Sequence, residues 1–214
     1  VVYELARRLG LRVQFGVHTL GLFLPAKEYA ARHPEWFPLI GGKRVTQGRI
    51  QLCLSSEAMA SEFAGNMKPH LREHPSTPSI GVGANDSGTL WCECKQCQAL
   101  DDPADPGNMA RRLSVFANRV AEQLAPEFPD VQVHLLGGYQ RVRGPAEDVS
   151  MHANIVSLGA PRIGGCYRHA INDPQCKVNS RLWGEISRWG KRTGGVVLHE
   201  YYFGNLKSGA PQLN

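Results

Sequence analysis

The chain has 214 residues, of which 42% are hydrophobic and 20% are charged, a composition that is ordinary for a globular protein and argues against long disordered regions. Its apolar runs stay well short of the roughly 20 residues that a transmembrane helix needs, so we expect no membrane insertion. The net charge of +5 comes from scattered lysines and arginines, whereas a nucleic-acid-binding surface concentrates them, so we expect no nucleic-acid partner.

The chain mostly alternates apolar segments that predict strands with segments that predict amphipathic helices. The first half predicts the end of a helix at 2–10, a strand at 11–18, a short helix from Pro25, a turn at Gly41-Gly42, a strand at 50–54 and a helix at 57–73 capped by Ser55 or Ser56. The second half predicts a strand from Ser79, a helix at 109–124, strands at 131–136 and 154–158, a helix at 181–189 and a strand at 195–198. This alternation favours a parallel sheet with helices outside it.

Six strands of this kind fit either an open sheet or part of a barrel. We interpret the fold as α/β and the six as strands 2 to 7 of a (β/α)8 TIM-type barrel, incomplete because a full barrel usually needs about 250 residues. The chain begins at Val1 without a signal-like segment and stops at a loop-like tail. We therefore expect a single barrel domain over residues 1–214 that is a fragment of a longer protein.

Two acidic residues follow predicted strands where barrel proteins keep their catalytic groups. Asp86 follows the strand from Ser79, and Glu200 follows the strand at 195–198. In a barrel these strands stand opposite each other, and both acids project at its carboxyl mouth. Glycoside hydrolysis needs such a pair, one carboxyl group as proton donor and the other as nucleophile or base. The alternative is that Asp86 is a turn residue and Glu200 a solvated or arginine-paired side chain.

Further residues just past the strand ends are candidates for substrate binding. Carbohydrate sites want flat aromatic surfaces and a few orienting polar groups. The candidates are His18, Asn85, Trp91, Tyr139, Arg141, Tyr201 and Tyr202. An arginine such as Arg141 could pair with the carboxylate of an acidic sugar. The alternatives are core or rim packing for the aromatic rings, a structural hydrogen bond for His18 and a solvated loop for Arg141.

The six cysteines fall into two groups. Cys92, Cys94 and Cys97 form a C-x-C-x-x-C pattern that could supply three thiolates to a structural zinc ion, with Cys53 or a histidine as the fourth ligand. Disulfide bonding of this cluster is an equal alternative. Cys166 and Cys176 flank a ten-residue loop and are expected to form a disulfide. A zinc-dependent hydrolase is the weakest interpretation, because a filled thiolate shell leaves no open position.

Five stretches of the chain are distinctive, namely HPEWFPLIGGKR, IQLCLSSEA, GANDSGTLWCECKQCQAL, GCYRHAINDPQCKVN and LHEYYFGN. They resemble one bacterial domain family of unknown function that is grouped with the barrel glycoside hydrolases and often follows an α-glucuronidase-type or hexosaminidase-type domain. The resemblance implies a glycoside-hydrolase-like barrel in a secreted or periplasmic protein that acts on polysaccharide. It implies no catalytic assignment. Related hexosaminidases carry Asp-Glu after strand four, whereas this chain has Asn85-Asp86, which argues against substrate-assisted chemistry.

Two functions follow from these observations. The first is a glycoside hydrolase that acts on a poly- or oligosaccharide without a cofactor, with Asp86 as general acid and Glu200 as nucleophile or base. This mechanism expects a raised pKa for Asp86. The second is a non-catalytic barrel that binds carbohydrate or serves as a scaffold, with its carboxyl groups too far apart for hydrolysis.

Overall fold

The structure, a computed structural model, describes residues 2–11, 13–87, 89–160 and 165–199. Its strands are β1 (Gln14–Phe15), β2 (Leu39–Ile40), β3 (Lys43–Arg44), β4 (Ser79–Val82), β5 (Gln132–Gly137), β6 (Ile155–Gly159) and β7 (Val196–Leu198). Five of them form one sheet in the order β1-β4-β5-β6-β7, and every neighbouring pair is parallel. The short strands β2 and β3 pair antiparallel around the predicted Gly41-Gly42 turn.

Helices lie between the strands of the main sheet, except that β5 leads to β6 through a segment without a helix. They are α1 (Val2–Arg8), α2 (Leu20–Phe23), α3 (Ala26–Tyr29), α4 (Glu57–Glu73), α5 (Lys95–Gln98), α6 (Ala110–Leu124) and α7 (Lys177–Arg192), with a 3-10 turn at Pro34–Trp36. All residues of β4 and β6 are buried, as expected for parallel strands covered on both faces. Among the described residues, none of the helices combines the length and the apolar character needed to cross a bilayer.

The predicted (β/α)8 barrel is wrong, because the described residues form a five-stranded parallel sheet and no closed cylinder. The predicted second strand, 50–54, is not a strand, and β1 pairs directly with β4. Ile50, Leu52 and Leu54 are buried, which explains their strand-like alternation. The backbone nevertheless bonds outside any ladder, with Gln51 N–H donating to the Leu90 carbonyl at 3.3 Å.

The predicted helices and the other strands are found with shifted ends, and the predicted strand 11–18 is reduced to the two residues of β1. Helix α4 spans the predicted residues, and the Ser56 side chain caps it by accepting a hydrogen bond from the Met59 N–H at 3.2 Å. Its apolar stripe packs on α6, where the rings of Phe63 and Phe116 meet edge to face with centroids 5.2 Å apart. Helix α7 begins earlier and ends later than the predicted 181–189.

Glycines on β4 and just after it allow the chain that follows β1 to approach closely. The Thr19 hydroxyl donates to the Gly81 carbonyl at 2.8 Å, and the Thr19 N–H donates to the Gly83 carbonyl at 3.1 Å. A Cβ atom on Gly83 would lie 1.8 Å from the Val17 carbonyl oxygen. No side chain therefore fits at Gly83, and its absence keeps the carboxyl ends of β1 and β4 side by side.

Replacing Gly83 with alanine is expected to destabilise the protein, by about 1–3 kcal/mol or more, because the added methyl group must push backbone away. Gly65, inside α4, is the matched control, since a Cβ atom there meets nothing within 4 Å. Gly65→Ala is expected to stabilise the fold by about 0.5–1 kcal/mol. Urea denaturation of the two variants measures both effects. Equal stability of Gly83→Ala and the parent chain would contradict the close approach.

Candidate ligand site and four-cysteine site

The carboxyl ends of the parallel strands lie along one edge of the sheet, so side chains that follow different strands can meet there. The segment after β1 leads to His18, the segment after β4 to Asp86, and the segment after β5 to Tyr139 and Gln140. Of the residues predicted for the site, the structure therefore brings together His18, Asp86 and Tyr139. We call these three and Gln140 the Asp86 site.

Hydrogen bonds connect the members of the Asp86 site. The Tyr139 hydroxyl donates to Asp86 Oδ1 at 2.6 Å, and Gln140 Nε2 donates to the same oxygen at 2.9 Å. The ring of His18 lies 5.8 Å from the ring of Tyr139, measured between centroids. His18 Nδ1 donates to the Ala84 carbonyl at 2.6 Å, which fixes a proton on Nδ1. In the neutral ring Nε2 is therefore an acceptor.

Gln140 was missed by the sequence analysis. It lies in a tight turn in which Tyr139 and Val142 exchange backbone hydrogen bonds of 3.0 and 2.9 Å. Its φ of 50° is uncommon for a residue other than glycine. Such a conformation tends to be kept where it positions a side chain, and here the amide of Gln140 reaches Asp86. No sequence pattern indicates this turn.

The surroundings of Asp86 favour its charged form. The hydrogen bond from the Tyr139 hydroxyl lowers the pKa of the Asp86 carboxyl group, partial desolvation opposes it, and the charges of His18 and Arg49 lower it further. The expectation of a raised pKa is therefore wrong. Because Asp86 is an exposed carboxylate at neutral pH, it suits a base, a nucleophile or a hydrogen-bond acceptor better than a proton donor.

Tyr139→Phe is expected to raise the pKa of Asp86 toward its ordinary value, because it removes the principal hydrogen bond to the carboxylate. A lowered folded-state pKa stabilises the fold above the pKa of the unfolded chain, and this contribution disappears as pH falls through the folded-state pKa. Asp86 is exposed, so carboxyl NMR titration is the sensitive measurement. Tyr29→Phe, which removes a hydroxyl bonded to Glu62, should leave Asp86 unchanged. An unaltered Asp86 titration in Tyr139→Phe would contradict this assignment.

Gln51 positions the chain around Asp86 and was also missed by the sequence analysis. Its side chain is fully buried, and its Nε2 donates to the carbonyls of Asn85 and Ser87, both at 2.9 Å. Its Oε1 accepts a hydrogen bond from the Asn85 N–H at 2.9 Å. Residues on both sides of Asp86 are thus held by one side chain.

The side-chain amide of Asn85 makes hydrogen bonds to backbone groups. Its Oδ1 accepts from the Gly21 N–H at 3.1 Å, and its Nδ2 donates to the Ile50 carbonyl at 2.7 Å. These bonds join the end of β4 to α2 and to the segment 50–54. A substrate-binding role for Asn85 stays a prediction, whereas its structural role is visible.

The remaining predicted site residues lie apart from this cluster or outside the described residues. Trp91 is 6% exposed and belongs to the main core, so its ring offers no open face to a sugar. Arg141 is half-buried and its Nε donates to the Gly107 carbonyl at 3.1 Å. Glu200, Tyr201 and Tyr202 lie outside the described residues, which end just after β7 at residue 199.

Four buried cysteines form a second candidate site, the four-cysteine site. It consists of Cys53, Cys92, Cys94 and Cys97, whose sulfur atoms all lie within 4.8 Å of one another. The sequence analysis left the fourth ligand open, as either Cys53 or a histidine, and in the structure the fourth member of the cluster is Cys53. Its Sγ lies 3.6 Å from that of Cys94 and 3.7 Å from that of Cys97. A tetrahedral ion with bonds of about 2.3 Å spaces its sulfur ligands by about 3.8 Å, so the four thiols could hold a metal ion.

Local structure supports this arrangement. The Cys97 N–H donates to Cys94 Sγ at 3.4 Å at the start of α5, and the Leu39 N–H donates to Cys92 Sγ at 3.3 Å. Hydrogen bonds from Cys92 and Cys97 lower the pKa of the Cys53 thiol, and the bond to Cys53 raises the pKa of Cys92 to about 11. The site therefore already favours one thiolate, the form that binds metal.

No disulfide joins Cys166 and Cys176 in the structure. The backbone near α7 is held by Asn179 instead, whose amide accepts from the Cys166 N–H at 2.7 Å and donates to the Cys166 carbonyl at 2.9 Å. Cys176 directly precedes α7. The disulfide stays a prediction for oxidising conditions.

Comparison with known proteins places the chain in a family without giving it an activity. No curated protein and no solved structure matches the chain. Residues 6–214 match the profile of the family described as Domain of unknown function (DUF4838), and since the match spans nearly the whole sequence, the chain belongs to that family.

Proposed function

We propose that this domain acts on carbohydrate and that it is a glycoside hydrolase whose ligand binds over the Asp86 site. The observation that carries the proposal is the pair of hydrogen bonds that Tyr139 and Gln140 donate to Asp86 at the carboxyl edge of a parallel sheet, where the Tyr139 bond lowers the pKa of the carboxyl group. Carboxylate, phenol, amide and imidazole groups in one exposed cluster match the hydroxyl groups of a sugar. The resemblance to a family grouped with glycoside hydrolases supports the same class of substrate.

The charge state of Asp86 assigns its part in hydrolysis. A carboxylate with a lowered pKa serves as the nucleophile or as the base that activates water, whereas the proton donor needs a raised pKa. We therefore exchange the roles expected from the sequence and give Asp86 the nucleophile or base role. In this proposal Glu200, the acid that follows β7, is the proton donor.

A second candidate function is carbohydrate binding without hydrolysis. It is favoured by the sheet order, because β5 and β6 stand between β4 and β7. Three strand spacings of about 4.8 Å separate the two strand axes by about 14 Å on a flat sheet. The two carboxyl groups of a glycoside hydrolase lie about 5–5.5 Å or 6.5–9.5 Å apart. Hydrolysis therefore requires the segments that follow β4 and β7 to bring Asp86 and Glu200 closer together than the strand axes are.

A panel of neutral and acidic oligo- and polysaccharides distinguishes these functions. Released reducing ends measure hydrolysis, and calorimetric titration measures binding. Turnover of any glycan supports the hydrolase, and binding without turnover supports the second candidate. Neither binding nor turnover across the panel would reject both.

We also propose that the metal ion of the four-cysteine site is zinc and that its role is structural. Four thiolates fill a tetrahedral shell and leave no position for water or substrate, which is the mark of a structural site. Elemental analysis of the purified chain should find about one zinc per chain.

A location outside the cytoplasm, secreted or periplasmic, fits a polysaccharide ligand and is part of the proposed function.

A further inference from the structure

We infer that metal binding at the four-cysteine site sets the position of Asp86, so that the metal-loaded form alone presents this carboxylate correctly to a ligand. The inference rests on the proposed function and adds a means of controlling it. The two sites belong to neighbouring stretches of chain, since Asp86 and Cys92 are six residues apart and both follow β4.

Gln51 is the connection between the two sites. It lies two residues before Cys53, a member of the four-cysteine site. Its buried side chain makes three hydrogen bonds of 2.9 Å to the backbone of Asn85 and Ser87, which flank Asp86. A displacement of Cys53 therefore moves Gln51 and with it the backbone that carries Asp86.

The segment 50–54 belongs to no sheet. Ile50, Leu52 and Leu54 pack in the main core, and Cys53 joins the segment to the four-cysteine site. The backbone N–H groups of Gln51 and Cys53 donate to the carbonyls of Leu90 and Trp36, at 3.3 and 2.8 Å. Leu90 in turn lies two residues before Cys92. The two facing stretches thus meet in the same group of sulfur atoms, and an ion bound there cross-links them.

The four-cysteine site is also separate from the main core. The four cysteines form their own buried cluster, with only Leu39 packed against it among the described hydrophobic residues. Such a small cluster contributes little hydrophobic stabilisation, so we expect a bound ion to add to the order that its hydrogen bonds provide. Removing the ion should loosen Cys53 and the neighbouring Gln51, while the main core, which includes Ile50, Leu52 and Leu54, stays folded.

Amide hydrogen exchange tests the coupling without any carbohydrate. The Asn85 N–H reports on the connection, since its acceptor is the Gln51 side chain. The zinc-loaded chain is compared with the same chain after chelation. We expect exchange at Asn85 to accelerate by about tenfold or more on zinc removal and to recover when zinc returns. Unchanged exchange at Asn85, or a chain that binds no zinc, would overturn the inference.

Two variants separate the connection from the metal site. Gln51→Leu keeps the four cysteines and is expected to bind zinc normally, yet to exchange rapidly at Asn85 whether or not zinc is bound. Cys176→Ser, which removes a thiol outside the site, should behave as the parent chain does. Loss of zinc binding in Gln51→Leu, or protected Asn85 in that variant, would contradict the proposed route. Because none of these measurements uses a ligand, failure of the glycan panel would reject the proposed function and leave this result standing.

Discussion

Asp86→Asn is expected to reduce glycan turnover by about 10²- to 10⁴-fold, because the amide can neither accept a proton nor attack the sugar. The change keeps the size of the side chain, and the amide oxygen still accepts a hydrogen bond from Tyr139, so the fold should be retained. The turnover number, measured by release of reducing ends on the best substrate of the panel, is the quantity to compare.

Asp130→Asn is the matched control for this substitution. Asp130 is exposed and lies before β5, at the opposite end of that strand from Tyr139. It should leave turnover unchanged. Undiminished turnover in a folded Asp86→Asn variant would remove Asp86 from the mechanism. If the parent chain binds glycan without turnover and the Asp86→Asn variant loses that affinity, Asp86 serves in binding alone.

Removal of zinc by a chelator is expected to lower the melting temperature strongly. An ion present at 1,000 times its dissociation constant stabilises the folded state by about 4.1 kcal/mol. Since each kcal/mol shifts Tm by about 2–4 °C for a domain of this size, the expected decrease is about 8–16 °C. Thermal unfolding followed by circular dichroism, with and without chelator, measures it.

Cys97→Ser provides the comparison for the chelation experiment. The variant loses one thiolate of the four, so its melting temperature should already be low and should no longer respond to chelator. Cys166→Ser changes a cysteine outside the four-cysteine site and should keep the full response. If neither chelator nor added zinc changes the melting temperature of the parent chain, a structural metal is excluded.

The sequence predicted local structure well where one element carries its own signal. The stripe of Met59, Phe63 and Met67 and the cap at Ser56 indicate α4 without reference to the rest of the chain. The same approach failed for the segment 50–54. Burial of alternate residues gives the same hydrophobic pattern in a strand of a sheet and in a loop packed on the core. The wrong strand at 50–54 contributed to the wrong barrel prediction, because that barrel required a strand between β1 and β4.

The candidate site was predictable only in part. Asp86 and Tyr139 could be found because polar residues after apolar strands meet at one edge of a parallel sheet. Gln51 and Gln140 could not, since their roles depend on contacts across 34 and 54 residues of chain. The cysteine spacing indicated three local ligands, and only the three-dimensional fold selected Cys53 as the fourth.

The distribution of the four sulfur ligands along the chain governs the order of assembly. Cys94 and Cys97 lie within one turn and can capture an ion early, as a local pair. We expect Cys53 to reach them after α4 and β4 have formed and packed, because both elements lie between it and Cys92. Closing so long a loop carries an entropic cost that tertiary contacts must offset. We therefore expect the sulfur shell to be completed late in folding and the ion to be held tightly once the native topology has formed.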